Sequence, residues 1–234
     1  MKKWIQWFWD QLFPVKCAVC GGVSPEGICP DCLDKLPYVP KDSCPHCGRG
    51  LDKCYCRHMR GECFYRLAAP CYYGEGMRRG ICGLKFKGIK TYAGWIGTLM
   101  AQTVQERFLD QGERIDLMVP APLSEKRLKE RGFNQSLLLG EQMEGILKIP
   151  LSNGLIKVRD TAIQHDLNYE QRLDNLHNAF QAVDKNAFAG KRILLVDDVA
   201  TTGTTLSECG RALYLAGAEK VLCCTAAVAV FRLS

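Results

Sequence analysis

The chain has 234 residues, 47% of them hydrophobic, and a formal charge of +6. That is enough for one α/β domain of ordinary size with a small appendage and excludes global disorder, while the charge favours anionic partners without separating a phosphorylated metabolite from nucleic acid. No apolar run approaches the ~20 residues of a membrane span; the longest, Val221 to Phe231, is interrupted by Thr225 and reads as a buried strand.

At the N-terminus, Met1 to Asp10 has an apolar stretch broken by Gln6, with no small-residue cleavage site after it. It reads as an amphipathic lead-in helix whose aromatics pack on the protein rather than as a secretory signal. Residues 12–60 are rich in cysteine, glycine and proline and show little apolar periodicity. Such a segment does not fold on hydrophobic burial alone, and metal is the usual substitute. Ten of the fourteen cysteines fall between Cys17 and Cys71. A disulfide scaffold is the alternative in a secreted protein. With no secretory signal read, the expected location is cytoplasmic and the thiols are expected to be reduced.

Three Cys-x2-Cys pairs, Cys17 with Cys20, Cys29 with Cys32 and Cys44 with Cys47, fall within 31 residues, and Cys54 and Cys56 close the run. Two such pairs make a tetrahedral four-sulfur site that suits Zn²⁺, with an iron–sulfur cluster as the alternative. Eight thiolates serve one or two structural zinc ions. The single residue between Cys54 and Cys56 strains chelation of one ion, which leaves His46, His58 or Cys63 as other candidates for the second site. The pairing order stays open. The expected division is a cysteine-rich zinc module over 1–63 and an α/β domain over 64–234.

Beyond the module, Leu67 to Ala69 and Cys71 to Tyr73 read as a strand interrupted by Pro70. Helices are expected over Arg78–Phe86 and Ala93–Phe108, with Gly88 as a C-cap signal. Strands follow over Ile115–Val119, Gly154–Val158, Lys191–Val196 and from Lys220 through Thr225 into the alanines. Helices are expected over Gln135–Leu147 and Thr204–Ala216, and a polar linker with helical potential over Asn168–Leu176. Continuous apolar strands alternating with helices argue for a parallel sheet covered on both faces, with ligands bound at the carboxyl ends of its strands.

The sharpest signal follows the strand that ends at Val196. Two adjacent carboxylates, Asp197 and Asp198, lead through Val199 and Ala200 into Thr201, Thr202, Gly203, Thr204 and Thr205, and then into a helix. Gly203 permits a tight turn. Backbone N–H groups at the helix start converge on an anion, and the hydroxyls add donors. The carboxylates suit ribose hydroxyls, or Mg²⁺ reached directly or through water. Ordinary helix capping explains one or two of these residues but not the whole cluster. No Walker A ending and no dinucleotide fingerprint is present.

Upstream, Val119-Pro120-Ala121-Pro122-Leu123 is a strand end turning sharply, with Lys126 and Arg127 close behind. These cations suit pyrophosphate, although the alternating charges from Lys126 to Arg131 also fit a solvated helix. Arg131-Gly132-Phe133-Asn134-Gln135 is poor helix and poor core, and reads as a flexible loop that closes on a ligand. Arg159, Gln164, Arg172 and Asn175 are further anion or supporting contacts, read only loosely.

Val196 to Thr205 resembles the phosphoribosyl-pyrophosphate (PRPP) motif of type I phosphoribosyltransferases. That resemblance implies that Asp197 and Asp198 hold the ribose 2′ and 3′ hydroxyls, that Ala200, Thr201, Thr202, Gly203, Thr204 and Thr205 wrap the 5′-phosphate, and that Mg²⁺ accompanies PRPP. Together with Tyr72, Leu84-Lys85-Phe86-Lys87-Gly88, Val119 to Leu123, Arg127, Arg131 to Gln135, Arg159-Asp160-Thr161 and Ala179-Phe180, it is similar in linear order to the ComF family over nearly the whole chain. That family is phosphoribosyltransferase-like and competence-associated, with an N-terminal zinc module. Its usual fourth Cys-x2-Cys pair is replaced here by Cys54 and Cys56. The resemblance implies a type I phosphoribosyltransferase-like sheet. It makes Asp197, Asp198, Arg127 and Arg131 the candidate catalytic residues and places Lys126, Asn134 and Gln135 beside the ligand. The implied ligand is a small phosphorylated ribose, with single-stranded DNA or a competence-machinery protein as the further partner. Two activities stay open, transfer of the phosphoribosyl group to an undefined acceptor and binding without turnover.

Overall fold

The computed structural model describes residues 14–54, 56, 63–158 and 179–230. The lead-in at Met1 to Asp10, the linker at Asn168 to Leu176, and Arg159, Gln164, Arg172 and Asn175 lie outside the described residues.

A parallel sheet organises the chain. Its members are β1 (Arg66–Ala68), β2 (Cys71–Tyr72), β3 (Leu117–Pro120), β6 (Arg192–Ala200) and β7 (Lys220–Val228). The order is β1-β7-β6-β3, and β2 continues β1 along β7. Arg66 pairs with Leu222 and Cys71 with Ala227, so the register runs unbroken past Pro70. Pro70 has no N–H to give a ladder, so the edge is where the strand tolerates it.

Alternation along the two central strands sends side chains to opposite faces. Leu194, Val196, Leu222 and Cys224 meet Met77, Ile81 and Leu84 of α2 (Glu75–Lys87), Ile96 and Met100 of α3 (Tyr92–Arg107), and Leu139 and Met143 of α5 (Gln135–Leu147). Ile193, Leu195, Val221 and Cys223 meet Leu206, Cys209 and Leu213 of α6 (Thr204–Leu215). Helices therefore cover both faces, as the run of apolar strands requires. Gly88 ends α2 with φ 65°, the left-handed C-cap its position announces.

Two sequence expectations change. Gly154–Val158 does not join the parallel sheet. Its strand β4 (Leu155–Lys157) pairs antiparallel with β5 (Phe180–Ala182) in a separate ribbon. The polar or exposed positions Ile156, Lys157 and Gln181 suit a ribbon buried on one face only. Arg131 to Gln135 is a tight corner between helices rather than an open loop. It joins α4 (Glu125–Arg131) to α5. Gly132 caps α4 at φ 77°, and the Asn134 side chain caps α5 by accepting from Ser136 N at 3.0 Å.

The cysteine-rich segment, which includes α1 (Pro30–Asp34), packs onto this sheet. Cys17, Ile28 and Leu36 are buried in the core under α2 and α3. The segment also pairs with the exposed sheet edge. Val39 N donates to Pro70 O at 2.9 Å, Tyr72 N to Pro37 O at 2.7 Å and Leu67 N to Pro45 O at 2.9 Å. An open edge is a template for pairing with other chains, and these bonds close it.

Candidate functional site

The eight cysteines of the module fall into two groups, Cys17, Cys20, Cys29 and Cys32, and Cys44, Cys47, Cys54 and Cys56. The pairing is sequential. Within each group the four sulfurs lie within 4.8 Å of one another. The Sγ–Sγ separations include 3.8 Å for Cys20 and Cys29, 3.5 Å for Cys44 and Cys56, and 3.9 Å for Cys47 and Cys54. Tetrahedral zinc with bonds of about 2.3 Å needs sulfurs about 3.8 Å apart. Both groups fit structural Zn²⁺. Cys54 and Cys56 share the second group despite the single residue between them, so neither His46 nor Cys63 is needed there. A short 3₁₀ turn over Leu51–Lys53 leads into Cys54, which is in extended backbone. His58 lies outside the described residues.

The second site sits at the carboxyl end of β6. Asp197 and Asp198 are 8% and 4% exposed, so two carboxylates share a nearly dry position. Three elements answer them. Lys85 of α2 places its Nζ 2.6 Å from Asp198 Oδ1. Gln135, at the start of α5, donates Nε2 to Asp198 Oδ2 at 2.6 Å. Ser136 Oγ donates to Asp197 Oδ1 at 2.9 Å, as does Asp198 N at 2.8 Å. Burial, and after it the charge of Asp198, pushes the Asp197 carboxyl up to about 7 from an ordinary 3.8.

After β6 the chain turns through Thr201 and Thr202 to Gly203, whose φ of 81° needs a residue without a Cβ. Gly203 is the N-cap of α6 and supplies no side chain, so the first N–H groups of that helix are not satisfied by a cap. Thr202 Oγ1 and Thr204 Oγ1 lie 2.8 Å apart. Thr205 faces a cleft of about 200 Å³ together with Lys85, Arg127, Lys157, Asp197 and Asp198, and the turn Ala121 to Ser124 forms its far wall.

The structure therefore brings together Asp197, Asp198, Thr205, Arg127 and Gln135, and sets Thr201, Thr202, Gly203 and Thr204 on the adjoining turn. Ala200 is buried behind that turn. Lys126 is exposed and does not line the cleft. Arg131 stands one layer back. It donates to Gln135 Oε1 and lies 5.6 Å over the Phe86 ring. Burial lowers its guanidinium from the usual value, and the Asp198 charge works against that. Asn134 ties the corner to the proline turn by donating to Ala121 O at 3.0 Å. Sequence reasoning assigned no role to Lys85, Ser136 or Lys157. Lys85 was visible only as part of Leu84 to Gly88, and nothing local marks a partner 113 residues away.

Comparison with known proteins bears on both sites. The double zinc ribbon domain matches residues 8–64, and the phosphoribosyl transferase domain matches residues 140–230. Competence protein F of Haemophilus influenzae is 32% identical over 226 residues, covering 90% of this chain and 95% of its own. DNA utilization protein YhgH of Escherichia coli (strain K12) is 32% identical over 203 residues, covering 83% and 87%. Competence protein ComFC of Bacillus subtilis is 28% identical over 218 residues, covering 89% and 84%. Among the described residues, no helix is long and apolar enough to cross a membrane.

Two outcomes are expected. Metal analysis of the purified chain is expected to find two zinc ions, and Cys17→Ser or Cys44→Ser to leave one; a parent with a single zinc would contradict the paired geometry. The raised Asp197 carboxyl also sets a pH dependence. The folded chain holds that proton more tightly than the unfolded one. The stability it contributes is fully present below about pH 4 and is lost as pH rises through about 7. Asp197→Asn removes the titration. The melting temperature of this variant minus that of the parent is expected to rise by several degrees between about pH 5 and about pH 8.5. A difference flat in pH, read by calorimetry, would show that the carboxyl is not raised.

Proposed function

The chain belongs to the family of competence protein F, YhgH and ComFC, and from that premise we propose that it binds PRPP or a closely related ribose phosphate at the end of β6 and transfers the phosphoribosyl group to a nitrogenous acceptor. One observation carries this reading. A buried pair of hydroxyl acceptors and an uncapped helix start lie on the two sides of a single turn, Val199 to Gly203. A ribose that set its 2′ and 3′ hydroxyls on Asp197 and Asp198 would direct its 5′-phosphate to the N–H groups and hydroxyls of Thr201 to Thr205.

The remaining groups divide the work. Lys85 and Gln135 hold Asp198 in one orientation and leave its other lone pairs for the sugar. Arg127 and Lys157 face the same cleft and neutralise the departing pyrophosphate. Arg131 and Asn134 act from behind by fixing Gln135 and the proline turn. The bond from ribose C1 to pyrophosphate breaks, and its electron pair leaves on the pyrophosphate. The acceptor nitrogen gives its lone pair to C1 and then loses its proton. Positive charge develops on the ribose between these events, beside the Asp198 carboxylate and the Asp197 carboxyl, so catalysis is mostly positioning and electrostatics. Mg²⁺ would accompany PRPP, with Asp197 and Asp198 as the carboxylates that could reach it directly or through water. When bound it offsets pyrophosphate charge.

The names of the relatives point to competence and to DNA utilization. On this reading the reaction serves the handling of imported DNA, with the cytoplasm as the proposed location and single-stranded DNA or a competence-machinery protein as the proposed partner.

Titration calorimetry with PRPP and Mg²⁺ tests the reading. The parent is expected to bind, and Asp198→Asn to weaken binding at least about tenfold, which corresponds to about 1.4 kcal/mol. Pyrophosphate release with one member of a nucleobase panel establishes transfer. Tight binding with no release across the panel assigns a sensor instead. No heat from the parent, with or without Mg²⁺, refutes both.

A further inference from the structure

The two zinc ribbons share one knuckle. In the first, Cys17 N donates to Gly22 O at 2.7 Å and Gly21 N to Cys17 O at 3.0 Å. In the second, Cys44 N donates to Arg49 O at 2.7 Å and Gly48 N to Cys44 O at 2.9 Å. Gly21 and Gly48 both take the left-handed conformation, with φ of 78° and 68°. The flanking antiparallel bridges, Lys16 with Val23 and Ser43 with Gly50, keep the same spacing. The knuckle is thus complete without a side chain at its last position, where the first ribbon has Gly22 and the second has Arg49.

The Arg49 side chain is used elsewhere. The residue is 1% exposed. Its Nη1 donates to Cys47 O at 3.2 Å, its Nη2 to Thr201 O at 2.7 Å and its Nε to Ala229 O at 2.7 Å. These carbonyls belong to the second four-cysteine group, to the start of the threonine turn, and to the extension of β7, where Ala229 N donates to Ala200 O at 2.9 Å. A trans peptide points its N–H opposite to its C=O. Fixing the Thr201 carbonyl therefore fixes the direction of the Thr202 N–H and the approach to Gly203. Four thiolates on Zn²⁺ carry a net charge of −2, which offsets a buried guanidinium in the same loop.

We propose that Arg49 is a positioning residue that ties the Thr201–Thr205 turn to the second zinc site, so that the order of this turn depends on zinc at Cys44, Cys47, Cys54 and Cys56 and not on zinc at the first group. Its meaning for ligand binding rests on the ribose-phosphate reading above; the link itself does not.

Hydrogen exchange on the full chain, read by mass spectrometry over residues 200–206 and 220–228, tests the link in four variants of measured zinc content. Arg49→Met is expected to keep two zinc ions and to exchange about tenfold faster at the turn, with β7 unchanged. Arg49→Lys keeps a cation with three donors and is expected to recover most of the protection. Cys54 and Cys20 are the exposed ligands of their groups and make a matched pair. Cys54→Ser is expected to lose one zinc and loosen the turn, and Cys20→Ser to lose one zinc and leave the turn protected. Unchanged exchange in Arg49→Met would overturn the proposal, and so would equal loosening by the two serine variants. Should Arg49→Met fail to fold, the serine pair alone decides. Parallel titration with PRPP is expected to weaken about tenfold in Arg49→Met. A parent that binds no PRPP refutes the ribose-phosphate reading, while the exchange comparison still decides the link.

Discussion

Two adjacent carboxylates stand at the buried end of one strand, and much of the surrounding architecture serves to make that tolerable. Burying a charge is costly unless it is paired and hydrogen-bonded. Strand β6 delivers Asp197 and Asp198 next to each other, where each raises the cost of the other. The compensation comes from two helices well upstream in sequence. Lys85 arrives at the end of α2, and Gln135 and Ser136 arrive at the start of α5. These two helices lie on the same face of the sheet and close over the strand end only because their apolar sides share one core with Leu194 and Val196. The packing of the core thus sets the electrostatics of the site. The carboxylates are kept acceptor-rich in a cleft that also holds Arg127 and Lys157. That combination suits a ligand with hydroxyls at one end and phosphates at the other.

The cysteine-rich segment contributes more than a separate appendage would. It has too little apolar sequence to fold alone, and two four-sulfur sites replace the missing core. In return it closes the edge of the sheet at Leu67, Pro70 and Tyr72 and places Cys17, Ile28 and Leu36 beneath α2 and α3. Arg49 carries the same relationship to the far end of β6. The second four-cysteine group and the proposed sugar-phosphate site are therefore neighbours in one structure.

Much of this was legible in the sequence because it is local. The apolar run into Asp197 and Asp198, the Gly203 turn, the Gly88 cap and the helix over Gln135–Leu147 each depend on residues close together in the chain. What was not legible depends on partners far apart. Lys85 looks like any lysine at a helix end until α2 packs beside β6. Arg49 looks like a knuckle residue. The strand at Leu155–Lys157 carries a β signal that does not say which strand it will pair with, and it took Phe180–Ala182 rather than the main sheet. Arg131 to Gln135 was misread for a different reason. Glycine beside an amide suits an open loop, but it equally suits a C-cap followed at once by an N-cap, and only the positions of the two helices decide. The one-residue spacing of Cys54 and Cys56 read as strained for one ion, yet both, counted among the eight candidate ligands, fall in the second group.

The central claim is that the turn after β6 holds a ribose and its phosphate together. A crystal structure of the chain grown with PRPP and Mg²⁺ tests it most directly. The account predicts the ribose hydroxyls on Asp197 and Asp198, with the 5′-phosphate against the backbone of Thr201 to Thr205 and Lys85 still on Asp198. A phosphorylated sugar bound elsewhere, or a turn with no ligand at saturating concentration, would contradict it.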